Sequence, residues 1–151
     1  MSPDTSPFAV DASVGVKWVL DEDLTEHAQA LLHTSPPRRI IAPPHLISEV
    51  TNAIFQRMRT TDPTKHVDPD DGEEALNRFL RFRIDLISSP PLYQRAVVLA
   101  RTHRLPNIYD SLYVALAELS GCELWTADAA LLRALGGGAP WVRWIGDYPL
   151  G

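Results

Sequence analysis

Pro7-Phe8-Ala9-Val10-Asp11-Ala12-Ser13 is a short apolar run that ends in a carboxylate and then a hydroxyl. A run of this kind, closed by a turn, is typical of a central strand in a parallel sheet, which is buried on both faces. Ligands of open α/β sheets bind outside the carboxyl ends of such strands. The stretch therefore predicts that Asp11 lies at the edge of the sheet where chemistry takes place.

The rest of the chain alternates between helical and strand patterns. Four further strands are predicted at 39–43, 84–87, 124–126 and 141–145. Helices are predicted at 14–20, 25–33, 45–59, 73–83, 92–103, 108–119 and 127–135, with a loop at 60–71. This alternation predicts an α/β fold, a mostly parallel sheet covered on both faces, in one domain without a linker. If the first and fourth strands are neighbours, Asp11 and Asp128 share one crevice.

Composition narrows the classes of function. The chain has 151 residues, 45% of them apolar, which suits a single domain with a core. No apolar run approaches the roughly 20 residues of a membrane span, and the N-terminus lacks the pattern of a signal peptide, so we expect a soluble, cytoplasmic protein. Cys122 is the single cysteine, which excludes an intramolecular disulfide. The net charge of −5 argues against broad electrostatic capture of nucleic acid, but clustered acids would form a cation pocket.

Four acidic residues stand where a functional and a purely structural interpretation compete. Asp11 and Asp128 follow strands, Asp110 opens a helix, and Glu49 borders the apolar stripe of helix 45–59. The structural interpretations are an Asx turn for Asp11, an N-cap for Asp110 and for Asp128, and an exposed helical carboxylate for Glu49. The residue three positions after Asp110 is Tyr113, so no capping box is completed there.

Together, the four acids are expected near the same edge of the sheet. Carboxylates brought within a few ångströms repel one another, and one or more would have a raised pKa unless a cation neutralised them. Mg²⁺ and Mn²⁺ prefer oxygen ligands and keep waters and substrate phosphates among their ligands. The pattern therefore indicates metal-dependent phosphodiester chemistry.

The acids lie in four short motifs, at residues 8–13 (FAVDAS), 48–53 (SEVTNA), 108–117 (IYDSLYVALA) and 124–128 (LWTAD). In order and spacing these motifs resemble the PIN-domain family of nucleases, and within it the VapC-like toxins of type II toxin–antitoxin systems. The resemblance covers nearly the whole chain. It implies one PIN-like domain over 1–151, a three-layer α/β/α sandwich with a mostly parallel five-stranded sheet.

The resemblance also implies a function and a set of site residues. The implied activity is that of a Mg²⁺- or Mn²⁺-dependent endoribonuclease, the toxin of a toxin–antitoxin pair. The residues implied to hold the metal and carry out catalysis are Asp11, Glu49, Asp110 and Asp128. Ser13 and Thr126 are implied to hold a carboxylate or a metal-bound water. Ala130 departs from the family pattern, because many relatives carry another acid there, and this weakens the case for a second tightly held metal.

The same resemblance implies three partners: an RNA substrate, a cognate VapB-like antitoxin and a second copy of the chain in a homodimer. An antitoxin would cover the site with a helix or an extended tail. An Arg of that antitoxin would neutralise the acid pocket through a bidentate pair.

Two other classes of protein compete with this interpretation. One is a catalytically inactive PIN-like module that binds a protein partner and keeps its acids for packing or capping. The other is a phosphoacceptor receiver domain, which requires adjacent acids after the first strand and a late lysine. Here Ala12 follows Asp11, and no lysine occurs after Lys65, so the receiver domain ranks last.

The histidines are placed outside the predicted site, and Tyr109 has a possible place beside it. The five histidines show no paired spacing of metal ligands and are predicted to be surface or loop residues. Tyr109 adjoins Asp110 and has two interpretations, packing or stacking on a base. Packing is favoured.

Overall fold

The strand predicted from the opening stretch forms β1 (Phe8–Val10), and all three of its residues are buried. The computed structural model describes residues 4–151. The other strands are β2 (Ile40–Ala42), β3 (Ile84–Leu86), β4 (Glu123–Thr126) and β5 (Val142–Trp144). Their order in the sheet is β3-β2-β1-β4-β5, and every pairing is parallel. The α/β prediction is confirmed, and the sheet is parallel throughout rather than mostly so.

Seven helices connect and cover these strands: α1 (Ala12–Gly15), α2 (Thr25–Leu32), α3 (His45–Arg59), α4 (Pro69–Leu80), α5 (Pro90–Thr102), α6 (Tyr109–Leu119) and α7 (Ala129–Leu135). Short 3₁₀ turns occur at Val16–Trp18 and Ile145–Asp147. Within residues 4–151, no helix has the length and apolar character needed to cross a membrane.

Two predicted helices differ from those observed. The continuous helix expected at 14–20 is replaced by the single turn of α1 and a 3₁₀ turn. Helix α4 begins at Pro69, four residues before the predicted start at Glu73, so the loop after α3 is shorter than expected. Proline suits the first position of a helix because its fixed φ is already helical and its missing N–H needs no partner there. Of the two prolines predicted to lie in the loop, Pro63 does so and Pro69 begins α4.

The neighbouring positions of β1 and β4 determine where the site forms. Connections from β1 lead to β2 on one side, while β4 lies on the other side of β1, so the winding of the sheet changes direction between them. A crevice opens outside the carboxyl ends of strands at such a point. The first and fourth strands are neighbours, as the shared crevice requires, and Val10 pairs with Trp125 near their ends. Asp11 and Asp128 therefore follow adjacent strands at the same edge of the sheet.

Close packing brings α1 against α3. A Cβ atom added at Gly15 would lie 3.3 Å from Val50 Cγ2 and 3.4 Å from Phe79 Cε2, so only glycine leaves this spacing undisturbed. Phe79 on α4 is buried, and its ring meets Phe82 edge to face at a centroid distance of 6.1 Å. This packing holds the helix that carries Glu49 next to the turn that follows Asp11.

We predict that Phe79→Ala lowers the free energy of unfolding by about 3–5 kcal/mol, because it removes a buried ring and leaves a cavity. Phe55→Ala is the matched control, since Phe55 on α3 is 51% exposed. Its effect should stay within about 0.5 kcal/mol. Urea unfolding followed by circular dichroism measures both values, and equal losses in the two variants would contradict the packing of α4.

Candidate active site

Asp11 is a buried carboxylate held by three hydrogen-bond donors. It follows β1 and is 4% exposed. The backbone N–H of Val14 donates to Oδ1 at 3.3 Å, so Asp11 is the N-cap of α1. The hydroxyl of Ser13 donates to Oδ1 and that of Thr126 to Oδ2, each at 2.5 Å. Both carboxylate oxygens are thereby held in one orientation.

Ser13 and Thr126 also join the ends of β1 and β4. The backbone N–H of Ala127 donates to Ser13 Oγ at 2.8 Å, and that of Asp128 donates to Thr126 Oγ1 at 3.0 Å. Each hydroxyl accepts a backbone N–H and therefore has its single proton free to donate to Asp11. The resemblance implied that these two residues hold a carboxylate, and the carboxylate they contact is that of Asp11; their role in activity stays a prediction.

Asp110 and Glu49 come from two adjoining helices. Asp110 lies in the first turn of α6, but the N-cap is Ile108, so Asp110 does not have the capping position that one interpretation gave it. Glu49 lies on α3 and has 37% of its side chain exposed. The hydroxyl of Tyr113, one turn after Asp110, donates to Glu49 Oε1 at 2.6 Å. This hydrogen bond ties the two acid-bearing helices together.

Asp128 caps α7, as its structural interpretation predicted. Its Oδ1 accepts the backbone N–H of Leu131 at 3.1 Å, and its backbone is extended. Capping uses one oxygen and leaves the residue partly exposed at the crevice. A capping role is therefore compatible with a second role at the site.

Burial sets the protonation of Asp11. Loss of hydration raises the pKa of Asp11 from its ordinary value of 3.8 to about 6, and the hydrogen bonds from Ser13 and Thr126 only partly oppose this rise. The negative charge of Asp110 raises it further. Of the ion pairs formed within residues 4–151, none links Asp11, Asp110 or Asp128 to lysine or arginine. Lysine and arginine side chains in this range therefore form no ion pair with these three acids.

The other acids act on Asp110 in the same way. Burial is the largest cause of its raised pKa, followed by the charges of Asp128 and then Glu49, while His45 lowers it. The pKa of Tyr113 is raised as well, by burial and by its hydrogen bond to Glu49, so its phenol stays protonated and remains a donor. All four predicted acids thus lie within electrostatic reach of one another through Asp110 and Asp11.

His45 and Tyr109 border the site, and sequence reasoning missed the place of His45. His45 begins α3, one turn before Glu49; its Nε2 lies 3.1 Å from the carbonyl oxygen of Tyr109 and 3.5 Å from Glu49 Oε1. His45 was predicted to be a surface or loop residue; it lies in a helix with 19% of its side chain exposed, and its spacing of four residues from Glu49 was the available signal for its place beside the site. Packing was favoured for Tyr109; its ring lies against that of His45, and the residue is 54% exposed.

The donors at this site suit a hard divalent cation in their chemistry. Four carboxylates, one of them buried, provide oxygen ligands and a surplus of negative charge, which Mg²⁺ or Mn²⁺ would neutralise. The described chain nevertheless contains no group of three or more Asp, Glu, His or Cys side chains already arranged around one point. The residues therefore fit the ion by type and charge, and holding it requires their side chains to turn towards a common centre.

Residues 8–136 match the family model of the PIN domain, and this span contains all four acids. The chain belongs to the PIN domain family, whose members generally have the fold of a nuclease and typically use divalent metals. It is also similar to the crystal structure of PAE2754 from Pyrobaculum aerophilum, with a TM-score of 0.64 and 23% identity over 94% of this chain and 85% of that one. At this identity the similarity shows the fold alone. Comparison with curated proteins gives no match.

The raised pKa of Asp11 predicts a pH-dependent stability in the absence of metal. Because the folded pKa of about 6 exceeds the ordinary 3.8, the folded state binds the proton more tightly, and stability falls as pH rises from about 4 to about 6. The full difference is about 3 kcal/mol. Urea unfolding with EDTA between pH 4 and 7.5 should show this fall in the wild type and not in Asp11→Asn. Parallel curves for the two proteins would contradict the burial of a charged Asp11.

Proposed function

We propose that this PIN domain is a metal-dependent endoribonuclease that acts as the toxin of a type II toxin–antitoxin pair. One observation carries the nuclease proposal: a buried carboxylate, Asp11, has its pKa raised to about 6 among other acids and lacks a basic partner in the described chain. Such an arrangement lowers stability, and perturbed acids in a crevice are typical of functional sites. A bound cation would remove the cost.

Some residues of the site would bind the ion, and others orient the side chains that bind it. Bound Mg²⁺ or Mn²⁺ supplies a positive charge that polarises the phosphodiester and activates water for in-line attack on phosphorus. The residues that would hold the ion are Asp11, Glu49, Asp110 and Asp128. Ser13 and Thr126 orient Asp11, and Tyr113 keeps its proton on Oη and directs it to Glu49 Oε1.

Charge makes RNA binding depend on the same ion. The chain carries a net charge of −5, and its site adds several carboxylates in one crevice. Phosphate groups are repelled by such a crevice, since nucleic-acid binding normally relies on lysine and arginine. RNA binding at the site should therefore be stronger when a bound cation offsets part of this negative charge.

The toxin role and the remaining partners rest mainly on the motif resemblance. A VapB-like antitoxin would cover the crevice and bring the basic side chain that the described chain does not pair with these acids. A homodimer is supported by three exposed apolar side chains on α5, namely Tyr93, Val97 and Val98. A toxin of this kind acts on RNA in the cytoplasm, where we propose this protein works.

A catalytically inactive protein-binding module is the second candidate, and a specific observation favours it. Asp11 and Asp128 both cap helices, so two of the four acids have structural roles without any metal. Asp110 separates the two candidates, because it lies in the first turn of α6 and does not cap that helix. A module without metal has no evident use for a half-buried acid with a raised pKa at this position.

We predict that Asp110→Asn reduces RNA cleavage by more than the roughly 10–100-fold that follows loss of a residue supporting a metal ligand. Purified protein is incubated with a mixed RNA pool in Mg²⁺, Mn²⁺ or EDTA, and the cut ends are mapped by sequencing. Asp21→Asn, an exposed loop acid, is the control and should cleave like the wild type. Metal-stimulated cleavage retained by Asp110→Asn would refute the site, and a wild type that cleaves nothing in any condition would favour the binding module.

Metal binding is predicted separately from cleavage. At a Mn²⁺ concentration 100 times its Kd, the ion should stabilise the wild type by about 2.7 kcal/mol. For a chain of this length that corresponds to a rise in Tm of roughly 5–10 °C. Calorimetry should show a much smaller rise for Asp110→Asn and an unchanged one for Asp21→Asn. The same rise in all three proteins would place the ion elsewhere.

A further inference from the structure

An exposed aromatic ring stands beside the acid cluster without any part in holding a metal. Tyr109 immediately precedes Asp110 and is 54% exposed, more than the exposed Phe55 (51%) and Tyr93 (44%). The ring of Tyr109 lies 5.9 Å from that of His45, and Nε2 of His45 lies 3.5 Å from Glu49 Oε1. His45 therefore links the exposed ring to the acid cluster.

The ring of Tyr109 belongs to a fixed row of aromatic side chains. His45 lies against it with ring centroids 5.9 Å apart and planes tilted by 42°, and His45 in turn lies 4.5 Å from the ring of buried Tyr113. The backbone is held as well, because the N–H of Tyr109 donates to Asn107 Oδ1 at 3.0 Å and its carbonyl lies 3.1 Å from His45 Nε2. One end of the row is in the core and the other end, Tyr109, faces solvent.

We propose that Tyr109, supported by His45, is a stacking platform for one unpaired nucleobase that flanks the scissile phosphate. This inference rests on the proposed nuclease function and deepens it. Every base has a π-face, and stacking on aromatic side chains is tolerant of sequence. The bases of a duplex are already stacked on their neighbours and are not available to the ring.

The negative charge of the protein favours an uncharged contact to RNA. A chain with a net charge of −5 and an acidic site gains little from electrostatic attraction to phosphates. A neutral ring binds a base without adding repulsion to the phosphodiester backbone. Tyr109 would therefore supply affinity that positive side chains do not supply near Asp110.

The binding test uses single-stranded RNA with phosphorothioate linkages to slow cleavage, measured by fluorescence anisotropy in Mg²⁺, a hard ion that binds sulfur poorly. Tyr109→Ala should raise Kd about tenfold for the single strand, and Tyr109→Trp should keep it near the wild-type value. The variant Phe55→Ala is the matched control, because Phe55 on α3 has a similar exposure of 51% but lies six residues beyond Glu49. Its Kd should equal that of the wild type.

An abasic scan locates the base. Removing one base at a single position beside the cleaved bond should weaken wild-type binding and should not weaken Tyr109→Ala any further, since both changes remove the same contact. Ultraviolet cross-linking to residue 109, read by mass spectrometry, gives an independent signal. Additive losses in the scan, or an equal loss for single-stranded and duplex RNA, would overturn the platform.

Failure of the platform and failure of the nuclease are distinguishable. If the wild type cuts RNA and Tyr109→Ala binds and cuts equally well, the platform is wrong and the nuclease proposal stands. If the wild type cuts no RNA but Tyr109 cross-links to single strands, the nuclease proposal fails and the base contact stands. If Tyr109→Ala instead speeds the dissociation of a protein partner and Tyr109 does not cross-link to RNA, the ring contacts that partner and the platform is wrong.

Discussion

The burial of one charged group, the carboxylate of Asp11, is the constraint on which the site depends. Water is removed from this acid by the strands and helices around it, and two hydroxyls and one backbone N–H replace only part of that hydration. The raised pKa measures how incomplete the replacement is. Burying the charged form of Asp11 lowers the stability of the fold, and such a cost is usual at preorganised ligand sites.

The four acids differ in how firmly hydrogen bonds hold their carboxylates in place. Asp11 is held rigidly through Ser13 and Thr126, whereas the described side chains form no ready group of three ligands. Glu49 is held by a phenol that will not ionise, and Asp128 is committed through one oxygen to a helix cap. Asp11 is thus the acid whose two oxygens are both held by hydroxyl donors, and the other three carboxylates are less constrained.

Sequence reasoning worked best where periodicity and strand ends determine structure. The buried run before Asp11, the strand before Asp128 and the helical spacing of α3 and α6 each follow from local hydrophobic pattern, and all are present. Contacts between distant elements were harder to predict. The proline that starts α4 had been assigned to a loop, and His45 meets Tyr109 only because two helix starts come together, a contact that neither helix pattern contains.

Ser13 accepts the N–H of Ala127, although more than a hundred residues separate them along the chain. Contacts of such long range form late, because closing a large loop costs entropy before any contact compensates for it. During translation, a ribosome has therefore added at least the 115 residues that follow Asp11 before Thr126 can reach it. A chain that ends before Thr126 therefore lacks one of the two hydroxyls that hold the carboxylate of Asp11.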